Sequence, residues 1–224
     1  MTSTASENQK ASIRIDIISD VMCPWCVIGY MGLKQALTEI DAEVTASIHW
    51  QPFELNPTMP TEGQYLAEHI IEKYGSTTEQ SAANRDHIST LGENLGFEFN
   101  FREGQRIYNT FKAHQLLHWL GEECPARQTE LKLALLEAYF KDGKDVSDTD
   151  VLVEVIDQLG LDGTFAKQLL TDQVYGGDVR ALQEQWRQLG VSAVPTFVIN
   201  EQYMMSGGQP IEAFVQGLRQ VIES

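Results

Sequence analysis

Two sulfurs open the chemical reading of this chain: Cys23 and Cys26, separated by Pro24 and Trp25. A gap of two residues places both side chains on one helical turn, near enough for a disulfide to form and break. Such exchange needs a thiolate that attacks and a second thiol that releases the mixed disulfide. The same spacing is also half of a zinc site, which requires two further Cys or His ligands. On spacing alone the two chemistries stand level. Context separates them. The third cysteine, Cys124, is isolated beside Pro125, and no second CxxC or HxxxC exists. His114 and His118 are four apart, but no third ligand accompanies them. Neither a metal nor a cofactor is expected.

The pair is useful only if a helix starts there. Residues 12–19, SIRIDIIS, alternate around Ile13, Ile15 and Ile17 and predict a strand. Pro24 suits the first helical turn, where its missing N–H would be unpaired anyway. From Cys26 to about residue 40, Ile28, Leu33, Leu37 and Ile40 have helical spacing, and a second strand follows at roughly 45–53. The first 55 residues therefore read β–α–β with the CxxC at the strand-to-helix junction. At that junction unpaired N–H groups and the helix macrodipole favour negative charge on Cys23. Cys23 is the expected nucleophile and Cys26, one turn inward, the resolving thiol.

The segment NPTMPTEG, at 56–63, breaks this pattern. Helices are predicted at 64–75, 79–96, 109–121, 127–142, 148–159 and 162–171, with a short piece around 97–101 as the sole hint of a strand. The chain then returns to a helix at 178–189, strands at 196–199 and 203–205, and a closing helix at about 210–222. Joined, β–α–β and α–β–β–α make a thioredoxin-like α/β fold with a large all-helical insertion. The expected division is a disordered polar lead at 1–11, a thioredoxin-like domain from 12–58 and 176–224, and an inserted helical subdomain at 59–175.

Composition narrows the partners. The formal net charge of -16 repels phosphate, which argues against nucleic acid and anionic membrane surfaces. No apolar run reaches the length of a membrane span, and MTSTASENQKA lacks the apolar stretch of a secretory signal, so a cytoplasmic location is expected. Three cysteines in 224 residues do not make a disulfide scaffold.

Four stretches carry a family resemblance: SDVMCPWC at 19–26, NTFKAHQLLHW at 109–119, GVSAVPTFVIN at 190–200 and SGGQP at 206–210. From about residue 12 onward the chain resembles the DsbA family of thiol oxidoreductases, in its cytoplasmic FrnE-type branch. The resemblance implies oxidase, reductase or isomerase chemistry on protein or small-molecule thiols and disulfides. It implies that the Val194–Pro195 bond is cis and faces the CxxC, leaving the Val194 backbone free to pair with a substrate strand. It also implies that the helix holding His114 covers the sulfurs and tunes them. Relatives often keep a buried acid as proton acceptor for the inner cysteine; Asp16 is the candidate here, while Asp20 reads equally well as a helix cap. Some members carry His inside the CxxC, where this chain has Trp25. Kappa-class glutathione transferases and chromene-carboxylate isomerases share the layout but usually keep Ser at the nucleophile position, so the intact cysteine pair argues against them. A non-catalytic binding or chaperone module, with metal on the CxxC, is the remaining alternative.

Overall fold

Ile13, Ile15 and Ile17 project to one side of the first strand and Ile18 to the other, as a strand covered on both faces requires. The computed structural model describes residues 10–223. In it the chain runs β1 (Ala11–Ser19), α1 (Pro24–Glu39), β2 (Val44–Pro52), β3 (Gln64–Tyr65), α2 (Leu66–Tyr74), α3 (Thr78–Asn94) and β4 (Arg106–Ile107). There follow α4 (Phe111–Glu123), α5 (Pro125–Phe140), α6 (Thr149–Gln158), α7 (Gly163–Asp172), α8 (Gly176–Gln188), β5 (Thr196–Ile199), β6 (Tyr203–Ser206) and α9 (Ile211–Glu223). Most of the expected lead at 1–11 lies outside the described residues, and Ala11 already belongs to β1.

The main sheet has the order β2-β1-β5-β6. β1 and β2 are parallel, with Ile17 opposite Trp50; β1 and β5 are antiparallel, with Ile17 opposite Phe197. This is the mixed α/β sheet expected from the two ends of the chain, and the helical block between them is confirmed. That block also contains a feature the periodicity did not reveal. β3 and β4 form a two-residue antiparallel ladder, whereas 97–101 is irregular. A ladder this short leaves no alternating pattern to read.

α1 serves two cores at once. Its Tyr30, Leu33 and Ala36 pack with Ile15, Ile17, Phe197 and Phe214 against the sheet and α9. Its Val27 and Ile28 pack instead with Leu116, Leu120, Leu131 and Leu135 of the helical block. The inserted helices also close the free edge of β2. Gln128 of α5 accepts from the Trp50 backbone N–H at 2.8 Å and donates to its carbonyl at 3.1 Å. The same amide nitrogen donates to Leu117 O at 3.0 Å. A side-chain amide thus takes the place of a neighbouring strand at an edge that would otherwise expose unpaired groups.

Candidate active site

Cys23 is the N-cap of α1, with extended backbone (φ -93°, ψ 112°), and Pro24 follows in the first turn. No acidic residue occupies that turn, so no carboxylate there opposes a negative charge on sulfur. The Cys26 N–H donates to Cys23 O at 3.0 Å, and the Cys23 N–H to Asp20 O at 3.4 Å. The two thiols interact with each other. Both are free: Cys23 is 4% exposed and Cys26 fully buried.

The Val194–Pro195 peptide is cis, and Cys23 Sγ lies 3.6 Å from Val194 O. The loop is pinned on both sides, by Thr196 Oγ1 donating to Ala193 O at 2.8 Å and by the Gly207 N–H donating to Pro195 O at 2.8 Å. Two glycines explain how tightly it seats. A Cβ on Gly29 would stand 2.9 Å from Pro195 Cγ and 3.0 Å from Phe197 Cζ. A Cβ on Gly208, in the SGGQP loop, would stand 3.2 Å from both Trp25 Cε3 and Ile28 Cγ2. Trp25 thus lies under that loop, with its ring 6.3 Å from that of His87 on α3.

Beneath the sulfurs is a buried polar cluster drawn from three elements. Asp20, just past β1, accepts from the Leu55 N–H at 2.7 Å and lies 3.4 Å from His114 Nε2 of α4. At that length and angle the His114 contact is electrostatic rather than a well-formed hydrogen bond. Burial pushes the Asp20 carboxyl up, but His114, the Leu55 N–H and Lys132 outweigh it and hold the carboxyl below its ordinary value. Burial, reinforced by the neighbouring Cys23, pushes the Cys26 thiol well above its usual range. Lys132 and the Asp20 backbone oppose that shift.

The sequence-derived residues divide accordingly. Cys23, Pro24, Trp25, Cys26, Val194 and Pro195 are brought together. His114 is buried below them, with Asp20 as its partner. Asp16 is buried too, but its carboxylate is held by Arg14 at 2.7 Å and Gln51 at 2.6 Å. The groups that act on Cys26 are Cys23, Lys132 and the Asp20 backbone, and Asp16 is not among them. Asp20 lies beside the pair because β1 ends before it: its carbonyl accepts from the Cys23 N–H, while its carboxylate meets Leu55 N–H and His114. Lys132 and Gly29 were missed. Gly29 had a signal: two glycines, Gly29 and Gly32, inside an otherwise apolar helix cost helix stability unless something packs close. Among the described residues no cluster of three or more His, Cys, Asp or Glu side chains is arranged to hold a metal ion.

Residues 14–219 match the model of the DSBA-like thioredoxin domain family. The chain belongs to that family. A solved structure described as a probable DsbA oxidoreductase from Streptomyces coelicolor shares 32% identity, with a TM-score of 0.88, over 95% of this chain and 91% of that one. The uncharacterized protein YwbO of Bacillus subtilis is 27% identical over 191 residues, 85% of this chain and 88% of its own. The cytosolic disulfide reductase DsbM of Pseudomonas aeruginosa has the same fold, with a TM-score of 0.65 at 17% identity, over 94% of this chain and 98% of that one. A DSBA-like membership accounts for the mixed sheet, the helical insertion and the CxxC pair together. Among the described residues no helix is long and apolar enough to cross a membrane.

Proposed function

We propose that this DsbA-family protein exchanges thiols and disulfides through Cys23 and Cys26. The observation that carries the reading is the contrast between the two sulfurs around a cis-proline loop. Cys23 caps a helix 3.6 Å from Val194 O, whereas Cys26 is sealed one turn inward. In this reading a substrate thiolate or disulfide meets Cys23 first, the Val194 backbone aligns the substrate chain, and Cys26 resolves the mixed disulfide. Pro24 and Trp25 fix the helix start and its apolar cover. His114 acts through Asp20, and Asp20 takes the place first given to Asp16 in shaping the proton balance below the pair.

Substrates are protein or small-molecule thiols and disulfides, and an open cleft of about 450 Å³ starting at Leu55 and extending to His69 and Lys73 borders the Asp20 side of the site. We assign the protein to a reducing compartment, the cytoplasm, on its cysteine usage. Isomerase activity is a further outcome of the same chemistry. The test is glutathione-dependent insulin reduction together with refolding of scrambled ribonuclease. Cys23→Ser is expected to fall to background in both, while Cys26→Ser accumulates a mixed disulfide on Cys23 detectable by mass spectrometry. Full activity of Cys23→Ser, or stoichiometric zinc on the purified pair, would overturn the reading.

A further inference from the structure

Lys132 is fully buried on α5, and its Nζ has no hydrogen-bond partner among the described residues. Lysine is almost never found in this state without an opposite charge, because desolvating an ammonium is expensive. Nothing in the packing of the helical block asks for a cation. Leu131, Leu135 and Leu136 fill the same helix with apolar side chains. What surrounds Lys132 is the underside of the cysteine pair. Its charge acts on Cys26, Asp20 and Cys23, and its Nζ lies 5.0 Å from the centre of the Trp50 ring, which leaves the ammonium facing a π surface on the side of β2.

We propose that Lys132, delivered by α5 of the helical insertion, is the buried counter-charge for the Cys26 thiolate during disulfide exchange. The inference rests on the exchange reading above and names a positioning residue for it. The step balances as follows. With Cys23 and Cys26 joined as a disulfide, formed by exchange with a disulfide such as oxidised glutathione, a substrate thiolate attacks Cys23 Sγ. A new S–S bond forms to the substrate, the Cys23–Cys26 bond breaks, and its electron pair leaves on Cys26 Sγ. The substrate sulfur is oxidised and Cys26 reduced, and one negative charge moves from solvent to a fully buried sulfur. Asp20 cannot receive that charge, being an anion already, held ionised by Leu55 N–H, His114 and Lys132. Lys132 is the cation on the side where the charge arrives.

The titratable and charged groups that reach Lys132 are Cys26 of α1, its cap Cys23 and Asp20 after β1, with His114 of α4 behind Asp20, and Trp50 of β2 offers its ring. α6 also packs on α5, and its buried side chains, Leu152, Val155 and Ile156, are apolar. Burial lowers the affinity of Lys132 for its proton, and the two sulfurs and Asp20 oppose that.

The experiment titrates the dithiol protein by ultraviolet thiolate absorbance and equilibrates it with glutathione, for the unmodified chain, Lys132→Met and Lys132→Arg. Lys132→Met is expected to move the Cys26 midpoint to higher pH. At a pH above that midpoint, where the reduced form carries the thiolate, it should also shift the equilibrium toward the Cys23–Cys26 disulfide, about tenfold for each unit by which the midpoint rises. Lys132→Arg should recover part of both. A folded Lys132→Met with both quantities unchanged overturns the proposal. Should the variants not fold, the 13Cε resonance of Lys132 in the unmodified protein serves instead. Its pH titration should differ between disulfide and dithiol forms, and identical curves overturn the proposal. A protein that never exchanges with glutathione would sink the exchange reading, while the dithiol titration would still decide whether Lys132 serves Cys26.

Discussion

The sheet unit and the helical insertion contribute to the site by different means. The sheet unit supplies both sulfurs, the cis-proline loop and the glycines that let them meet, so its contribution is largely backbone geometry. The insertion supplies His114, Gln128 and Lys132, single side chains that enter from α4 and α5 and act through charge or hydrogen bonding. Geometry set by backbone admits few substitutions, whereas charge set by a side chain can be graded.

Three experiments would break or sharpen that contrast. The largest stability effect is expected on the insertion side. Gln128→Leu leaves the Trp50 N–H and carbonyl without partners, and should cost about 2–6 kcal/mol in urea unfolding at about 1–3 kcal/mol per unpaired buried group. Disulfide exchange per folded molecule should survive. A variant as stable as the parent would remove Gln128 from the role of edge strand.

On the sheet side, Gly29→Val forces methyl groups into the space against Pro195 Cγ and Phe197 Cζ, and overpacking of this kind costs about 1–3 kcal/mol. Here the exchange rate should fall along with stability, because the displaced loop is the one facing Cys23. Unchanged insulin reduction in a destabilised Gly29→Val protein would show that the loop tolerates more displacement than its packing implies.

The smallest effect is a pH dependence. The folded Cys26 thiol ionises well above its ordinary value near 9, so folding is favoured by the protonated thiol below that value. That contribution is lost as pH rises from about 9 toward the raised folded value. Lys132, lowered from 10.5, works in the opposite sense: its unfolded form holds the proton longer, so stability gains with pH between the lowered folded value and 10.5. Comparing the dithiol protein with Cys26→Ala in urea melts between neutral and strongly alkaline pH isolates the cysteine. The parent should lose more stability than Cys26→Ala over that range. Parallel curves would mean that Cys26 is less isolated from water than its burial indicates.

Most of the scaffold was legible because its signals are local. The alternation in β1, the proline after Cys23 and the apolar spacing of α1 each occupy a few consecutive residues, and together they locate the cysteine pair at a helix start. The underlying polar cluster was not legible, since it exists only once α4 and α5 fold back under α1. Lys132 stands between Leu131 and Leu133 in a helix that also carries Arg127, Glu130 and Glu137, and such a lysine ordinarily faces solvent. The position of Asp20, rather than Asp16, beside the pair has a similar origin. Position along a strand indicates which face a side chain takes, but Asp20 lies beyond the strand, where the turn decides. Arg14 and Gln51 that engage Asp16 come from its own strand and from β2, a pairing set by sheet register.

α1, lodged between two hydrophobic cores, has a consequence for motion. An element shared by two cores cannot loosen with either one alone, so its amides should exchange with solvent only when both open. Cys26, and Cys23 at the cap, are thereby mounted on a helix held from two sides. Breathing elsewhere in the insertion, at α2 for instance, where no side chain is buried, reaches them only as a change in surroundings and leaves their spacing intact.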